Sequence, residues 1–164
     1  MVPSALVDDA AALLSDLRRH GFTLATAESC TGGLITAVLT AVAGSSDVVD
    51  RGYVTYSNTA KTEMLGVPAA LIEQNGAVSR EVVTAMIDGV FQFSPVDIAV
   101  SVTGIAGPGG GSDQKPVGLV YLAAGRRGRP AIVRECSFGD IGRAGIRLET
   151  VRMAFAMIGE VISK

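Results

Sequence analysis

Residues 22–42 read as a strand, a tight polar turn and a helix from about Gly32. Phe22 to Ala27 leans towards β structure. Glu28-Ser29-Cys30-Thr31-Gly32-Gly33 is polar and ends in two glycines, and Leu34 to Val42 is apolar, with neither proline nor charge. A turn of this kind aims free backbone N–H groups and the positive end of a helix dipole at one point. Ser29 sits at that point, with Cys30 and Thr31 beside it, and Gly32 and Gly33 let another group approach the backbone closely. Two readings stand at this stage: a capped helix with a packing glycine pair, or a reactive site.

The rest of the chain fits an α/β fold around that turn. Leu6, Ala10, Leu13, Leu14 and Leu17 recur at helical spacing, and Gly21 closes the helix. Val48 to Tyr56 reads as the second strand, after a turn at Ala43-Gly44-Ser45-Ser46. Ser57 or Asn58 then caps a helix with Lys61 in its first turn. A short helix ends near Gly76, and Ser79 caps another over about residues 80–92. Asp97 to Thr103 is the third strand; its run Ile98 to Val102 is apolar on both faces, as a central strand would be. The loop Gly104 to Gly111 follows. Val117 to Ala124 and Ala131 to Phe138 make an antiparallel hairpin. A last helix starts near Ile141, with Ala144, Leu148, Val151, Phe155, Ile158 and Ile162 as its core stripe.

Strands one to three are linked by helices and so run parallel. The link to strand four is too short for a helix, so that strand reverses, and strand five returns. The carboxyl ends of strands one, two, three and five then share one edge of the sheet, where open α/β sheets bind ligands. That edge collects Ser29, Tyr56 to Lys61, Thr103 with the glycine loop, and Gly139 to Arg147.

Composition bounds what the site can do. The 164 residues are expected to form a single domain, 1–164, which at this size buries roughly 70% of its unfolded surface. Hydrophobic residues make up 48% and the net charge is −2, which argues against disorder and against a basic nucleic-acid-binding face. No apolar run reaches the roughly 18 residues of a membrane helix, and Asp8, Asp9 and Asp16 break up any signal peptide. Cys30 and Cys136 form no disulfide framework or CxxC motif, so a reduced, cytoplasmic setting is expected. With those cysteines and the single His20, a zinc site is not expected.

A serine nucleophile needs a base. His20 precedes strand one, at the far edge, which leaves Lys61; a lysine serves when desolvation keeps it neutral. Lys115 is assigned to a mobile loop and Lys164 to the terminus. Cys30 is the weaker nucleophile candidate because no histidine stands near it. Backbone N–H groups after Ser29 can form an oxyanion hole. Tyr56 and Thr103 offer hydroxyls for a relay or a substrate contact. The glycine loop suits a phosphate, although its spacing matches neither a Walker loop nor GxGxxG. Arg143 and Arg147 share a face near a helix N-terminus, where cations are disfavoured; an anionic ligand or Asp140 would explain them.

Thr26 to Gly33, Gly52-Tyr53-Val54-Thr55-Tyr56-Ser57-Asn58 to Lys61, Gly76-Ala77-Val78-Ser79, and Thr103 to Gly110 with Lys115-Pro116-Val117-Gly118 closely resemble the CinA C-terminal domain family. The resemblance covers nearly the whole chain. It implies a three-layer α/β/α fold with a mixed, mostly parallel five-stranded sheet, one strand antiparallel. The family's enzymatic members are nicotinamide-nucleotide amidohydrolases. The implied reaction is therefore hydrolysis of nicotinamide mononucleotide to nicotinic acid mononucleotide and ammonia, without metal or cofactor. The implied Ser/Lys pair falls on Ser29 and Lys61, with Tyr56 and Thr103 in support. Substrate contacts are expected from Cys30, Thr31, Gly32, Gly33, Gly104, Gly107, Gly109, Gly110 and Arg143. The expected assembly is a homo-oligomer, a dimer, with no nucleic-acid or membrane partner. Longer CinA proteins carry an N-terminal nucleotide-binding domain that this chain lacks, so a stand-alone deamidase is expected. The alternative is a non-catalytic nucleotide-binding or interaction module of the competence and damage-inducible type.

Overall fold

The computed structural model describes residues 2–164. The strands are β1 (Leu24–Glu28), β2 (Val49–Val54), β3 (Ile98–Gly104), β4 (Leu119–Arg126) and β5 (Ile132–Ser137). They form one sheet in the order β2-β1-β3-β4-β5. β1 runs parallel to β2 and β3, while β4 is antiparallel to both β3 and β5. One strand is therefore reversed, and the C-terminal ends of the other four meet at one edge, as the connection lengths require.

Helices cover both faces. α1 (Ser4–His20), α2 (Leu34–Thr40) and α6 (Arg143–Ile162) pack on one side; α3 (Asn58–Leu65), α4 (Ala69–Asn75) and α5 (Arg80–Phe93) pack on the other. The pleat divides the central strand between the two layers. Ile98, Val100 and Val102 point into the core under α1, α2 and α6, while Ala99 points to the α5 side. On the α5 side the sheet offers Ala25, Ala27, Ala99 and Ala123, small residues over which Met86, Ile87 and Val90 of α5 close the gap. α3 lies tight against α5: a Cβ on Gly89 would stand 2.1 Å from the Leu65 carbonyl oxygen. That contact fixes the helix that carries Lys61.

The expected caps are present. The Ser57 and Ser79 hydroxyls accept from Ala60 N and Val82 N, and Gly21 adopts φ 68° to close α1. Several bounds move, each for a local reason. α2 begins at Leu34 rather than Gly32, because Gly32 and Gly33 take φ of 56° and 91°. β4 begins two residues later than expected. Pro116 to Gly118 make a turn first, with Leu119 N donating to Pro116 O and Gly118 N to Ile105 O. Residues 45–47 of the expected turn wind into a short 3-10 helix. Ala144 of the expected α6 stripe is exposed, and Ile146 and Thr150 are buried there instead. Lys115, assigned to a mobile loop, is tied down: its Nζ donates to Asn75 O at 2.6 Å.

Candidate active site

The turn after β1 is held by its own backbone. Ser29 N donates to Val102 O at 3.2 Å, Gly32 N to Ser29 O at 3.0 Å and Leu34 N to Thr31 O at 3.1 Å. The N–H groups of Cys30, Thr31 and Gly33 have no acceptor among the described residues. They are the donors left to meet a negative oxygen forming beside Ser29 Oγ. Ser29 itself is 8% exposed, enough for its hydroxyl to meet a ligand from one side only.

Lys61 comes to this point from α3. Ser57 starts the helix, and Lys61 one turn later faces inward, with only 1% of its surface exposed. Its Nζ lies 3.0 Å from Ser29 Oγ and donates to Thr55 O at 2.8 Å. Burial pushes its amine below the ordinary lysine value, towards the neutral form that accepts a proton. No carboxylate holds the charge in place: none of Lys61, Lys115, Arg143 and Arg147 takes part in an ion pair among the described residues.

The other expected groups divide into those that meet and those that do not. Arg143 joins two of the segments. One arm donates to Tyr56 Oη at 2.7 Å and the other to the Gly107 carbonyl at 2.8 Å. Tyr56 is 58% exposed, and its ring flanks Gly32, since a Cβ there would lie 3.8 Å from Tyr56 Cε2. Thr103 is buried, and its hydroxyl donates to Ala77 O at 2.8 Å; it ties the loop before α5 to β3. Gly104 and Gly107 answer packing needs, because a Cβ at either would press on Val120 or Val117. Gly109 and Gly110 stand open at the loop tip. The Cys30 thiol is buried and pushed up to about 12 by that burial, so it is no thiolate at neutral pH. Arg147, also half-expected, donates from Nη2 to Thr31 O at 2.7 Å; neither arginine meets Asp140. A cleft of about 380 Å³ between α3 and α4, lined by residues such as Asn58, Thr62, Glu63 and Glu73, contains none of these groups.

A model of the CinA C-terminal domain matches residues 8–162. The chain belongs to the CinA C-terminal domain family. It is 56% identical over 137 residues to a CinA-like protein of Citrifermentans bemidjiense, covering 84% of this chain but 33% of that protein. The chain thus spans about a third of the length of such CinA-like relatives. It is 51% identical over 125 residues to the nicotinamide-nucleotide amidohydrolase PncC of Escherichia coli, covering 76% of each chain. Its fold matches the crystal structure of the competence/damage inducible protein CihA from Agrobacterium tumefaciens with a TM-score of 0.96. The two are 48% identical over 100% of this chain and 99% of that one.

In this CinA domain one residue of the turn motif does more than the sequence suggested. Glu28 is fully buried beside Ser29. Its carboxylate accepts from Ile35 N at 3.0 Å and from both Thr36 N and Thr36 Oγ1 at 2.8 Å. It does what the Gly33 N-cap cannot, since glycine has no side chain to satisfy the first N–H groups of α2. A cap residue without a side chain, preceded by a lone acid at a strand end, is the signal that was available. Gln at position 28 would turn an N–H donor towards these donors. Glu28→Gln is therefore expected to lower stability by about 1–3 kcal/mol, measured by urea unfolding.

Proposed function

We propose that this chain is an amidohydrolase that converts nicotinamide mononucleotide to nicotinic acid mononucleotide and ammonia. The observation that carries this reading is the buried Lys61 Nζ held 3.0 Å from Ser29 Oγ, with no ion pair to Lys61 among the described residues. The name and 51% identity of the amidohydrolase relatives supply the substrate.

The chemistry follows from the groups in place. Neutral Lys61 takes the Ser29 proton as Oγ attacks the carboxamide carbon. The carbonyl oxygen becomes an oxyanion, met by the N–H groups of Cys30, Thr31 and Gly33. The Lys61 ammonium returns its proton to the departing amino group, and ammonia leaves. Water, losing its proton to Lys61, then attacks the Ser29 ester; the ester C–O bond breaks, Lys61 returns that proton to Ser29 Oγ, and the acid leaves. Amide and water thus become acid and ammonia, and Lys61 ends as it began. The chain works as one domain, as a dimer in the cytoplasm. In a purely binding module, a buried amine held against a serine hydroxyl would have no task. Ammonia release from nicotinamide mononucleotide by the purified protein tests the reading; no release above background rejects it.

The substrate phosphate is assigned to Arg143, a choice supported by the inward contact of Arg147 with Thr31 O. A charge-assisted hydrogen bond of this kind is worth about 1.5–3 kcal/mol, so the preference for mononucleotide over riboside is expected to fall about 10- to 150-fold in Arg143→Ala. Part of the loss will appear with both substrates, since Tyr56 loses its partner as well. The ratio of the two kcat/KM values isolates the phosphate. An unchanged ratio would move that role elsewhere.

A further inference from the structure

Arg147 points into the turn that carries Ser29. Its Nη2 donates to the Thr31 carbonyl at 2.7 Å, and the same oxygen accepts from Leu34 N at 3.1 Å. Its Nε is enclosed and has no partner among the described residues, and the fully buried Thr31 hydroxyl has none there either. A Cβ on Gly32 would lie 3.7 Å from Nη2, so the guanidinium rests directly on the turn. The charge is placed against its own helix dipole, one turn from the start of α6, and no acid offsets it. Stability alone does not select a half-buried, unpaired arginine in that position.

The geometry of the turn supplies a reason. Gly32 and Gly33 have φ of 56° and 91°, a backbone region in which glycine is free to rotate. The front of the turn is held by Val102 O and the far end by Glu28. Between them the Thr31–Gly32 peptide has, among the described residues, only two turn bonds of its own, Leu34 N to Thr31 O at 3.1 Å and Gly32 N to Ser29 O at 3.0 Å, and the second ties it to the Ser29–Cys30 peptide that carries the Cys30 N–H. We infer that Arg147 is a positioning residue: by holding the Thr31 carbonyl it fixes the Thr31–Gly32 peptide, whose Gly32 N–H holds the Ser29 carbonyl and with it the peptide that turns the Cys30 N–H towards the oxyanion at Ser29. This rests on the reading of Ser29 as nucleophile. It assigns to Arg147 an effect on turnover and not on substrate binding.

The test uses two reactions of the full chain. Acylation of Ser29 by p-nitrophenyl acetate, a small uncharged ester, is followed as a burst of nitrophenolate. Steady-state kinetics are measured with nicotinamide mononucleotide. Arg147→Met is expected to slow acylation and lower kcat together, about 10- to 1,000-fold, the range for loss of oxyanion-hole order. KM should stay within about threefold, the pattern of a group that acts only in the transition state. Arg147→Lys keeps a donor for Thr31 O and is expected to recover part of both rates; it also serves if the Met variant does not fold. Wild-type acylation rates in Arg147→Met, or a loss confined to KM, would overturn the assignment. So would an Arg147→Lys variant no faster than a folded Arg147→Met. If the wild type gives an ester burst that Arg147→Met abolishes, yet no ammonia from the nucleotide, the positioning role stands and the proposed substrate falls. If Ser29 takes no acyl group in the wild type, both fall.

Discussion

Ser29→Ala is expected to lower kcat for ammonia release by about 10⁴- to 10⁶-fold, the scale on which hydrolases lose turnover when their nucleophile is removed. The substitution removes one oxygen from a site whose other contacts survive. The turn is held by Val102 O, Ser29 O and the Glu28 carboxylate, and none of these bonds uses the Ser29 hydroxyl. Lys61 loses one partner and keeps Thr55 O. The fold should therefore persist within about 1 kcal/mol of wild type, the usual worth of one hydrogen bond. Substrate should still bind, because the hydroxyl contributes little to the ground state. Cys30→Ala is the control. Its thiol is pushed up to about 12, so at neutral pH it is protonated and unreactive, and the variant should turn over near the wild-type rate. A dead Cys30→Ala beside a live Ser29→Ala would exchange the two roles. Hydroxylamine adds a direct check: it should divert the wild-type ester to a hydroxamate and give none with Ser29→Ala.

The path from sequence to this site was uneven, and the reasons are physical. The strand–turn–helix at Ser29 was legible because glycine, a polar cluster and an apolar run each constrain the backbone locally. The edge of the sheet was legible because connection lengths decide strand direction, and direction decides which ends meet. Lys61 was reached by elimination, since only one lysine lay at a helix start on that edge. What the sequence concealed were contacts between distant segments. Arg143 and Arg147 stood out as two cations at the wrong end of a helix, yet their spacing gave no hint that one reaches outwards to Tyr56 and Gly107 and the other inwards to Thr31. Thr103 was expected to serve a relay or a substrate contact, and nothing in the sequence hinted that its hydroxyl donates to Ala77 O across a gap of 26 residues. The Lys115 contact with Asn75 was missed for the same reason: glycine-rich composition describes a loop's freedom but not what its last residue finds. Periodicity also misjudged the start of α6. There the face turned to the core begins at Ile146, because Gly142, at φ 79°, sets where the helix starts.

Lys61→Met carries the second large effect and separates function from stability. The variant keeps the side chain as far as Cε and removes its amine, so no group remains to take the Ser29 proton. kcat/KM is expected to fall by about 10⁴-fold or more, with mononucleotide and riboside damaged alike, because the base serves the amide and not the phosphate. Stability should move the other way or hold. Lys61 is 1% exposed, and burial disfavours its charged form, which lowers its pKa from the ordinary 10.5. Between that lowered value and 10.5 the unfolded chain binds a proton that the folded chain does not, so the wild type grows more stable as pH rises through this window. Below the window the lysine is protonated in both states, and the whole penalty of a buried ammonium is present. Met at this position has no such penalty; it forgoes only the hydrogen bonds to Ser29 Oγ and Thr55 O, worth about 1 kcal/mol each. Urea unfolding at a series of pH values should show the wild-type rise missing from Lys61→Met. The wild-type rate should climb with pH through the same lowered value, since the neutral amine is the active form. A rate that fell as pH rose through that window would mean the ammonium is the working species. A variant that lost several kcal/mol would mean that Lys61 is kept for the fold and not for the chemistry.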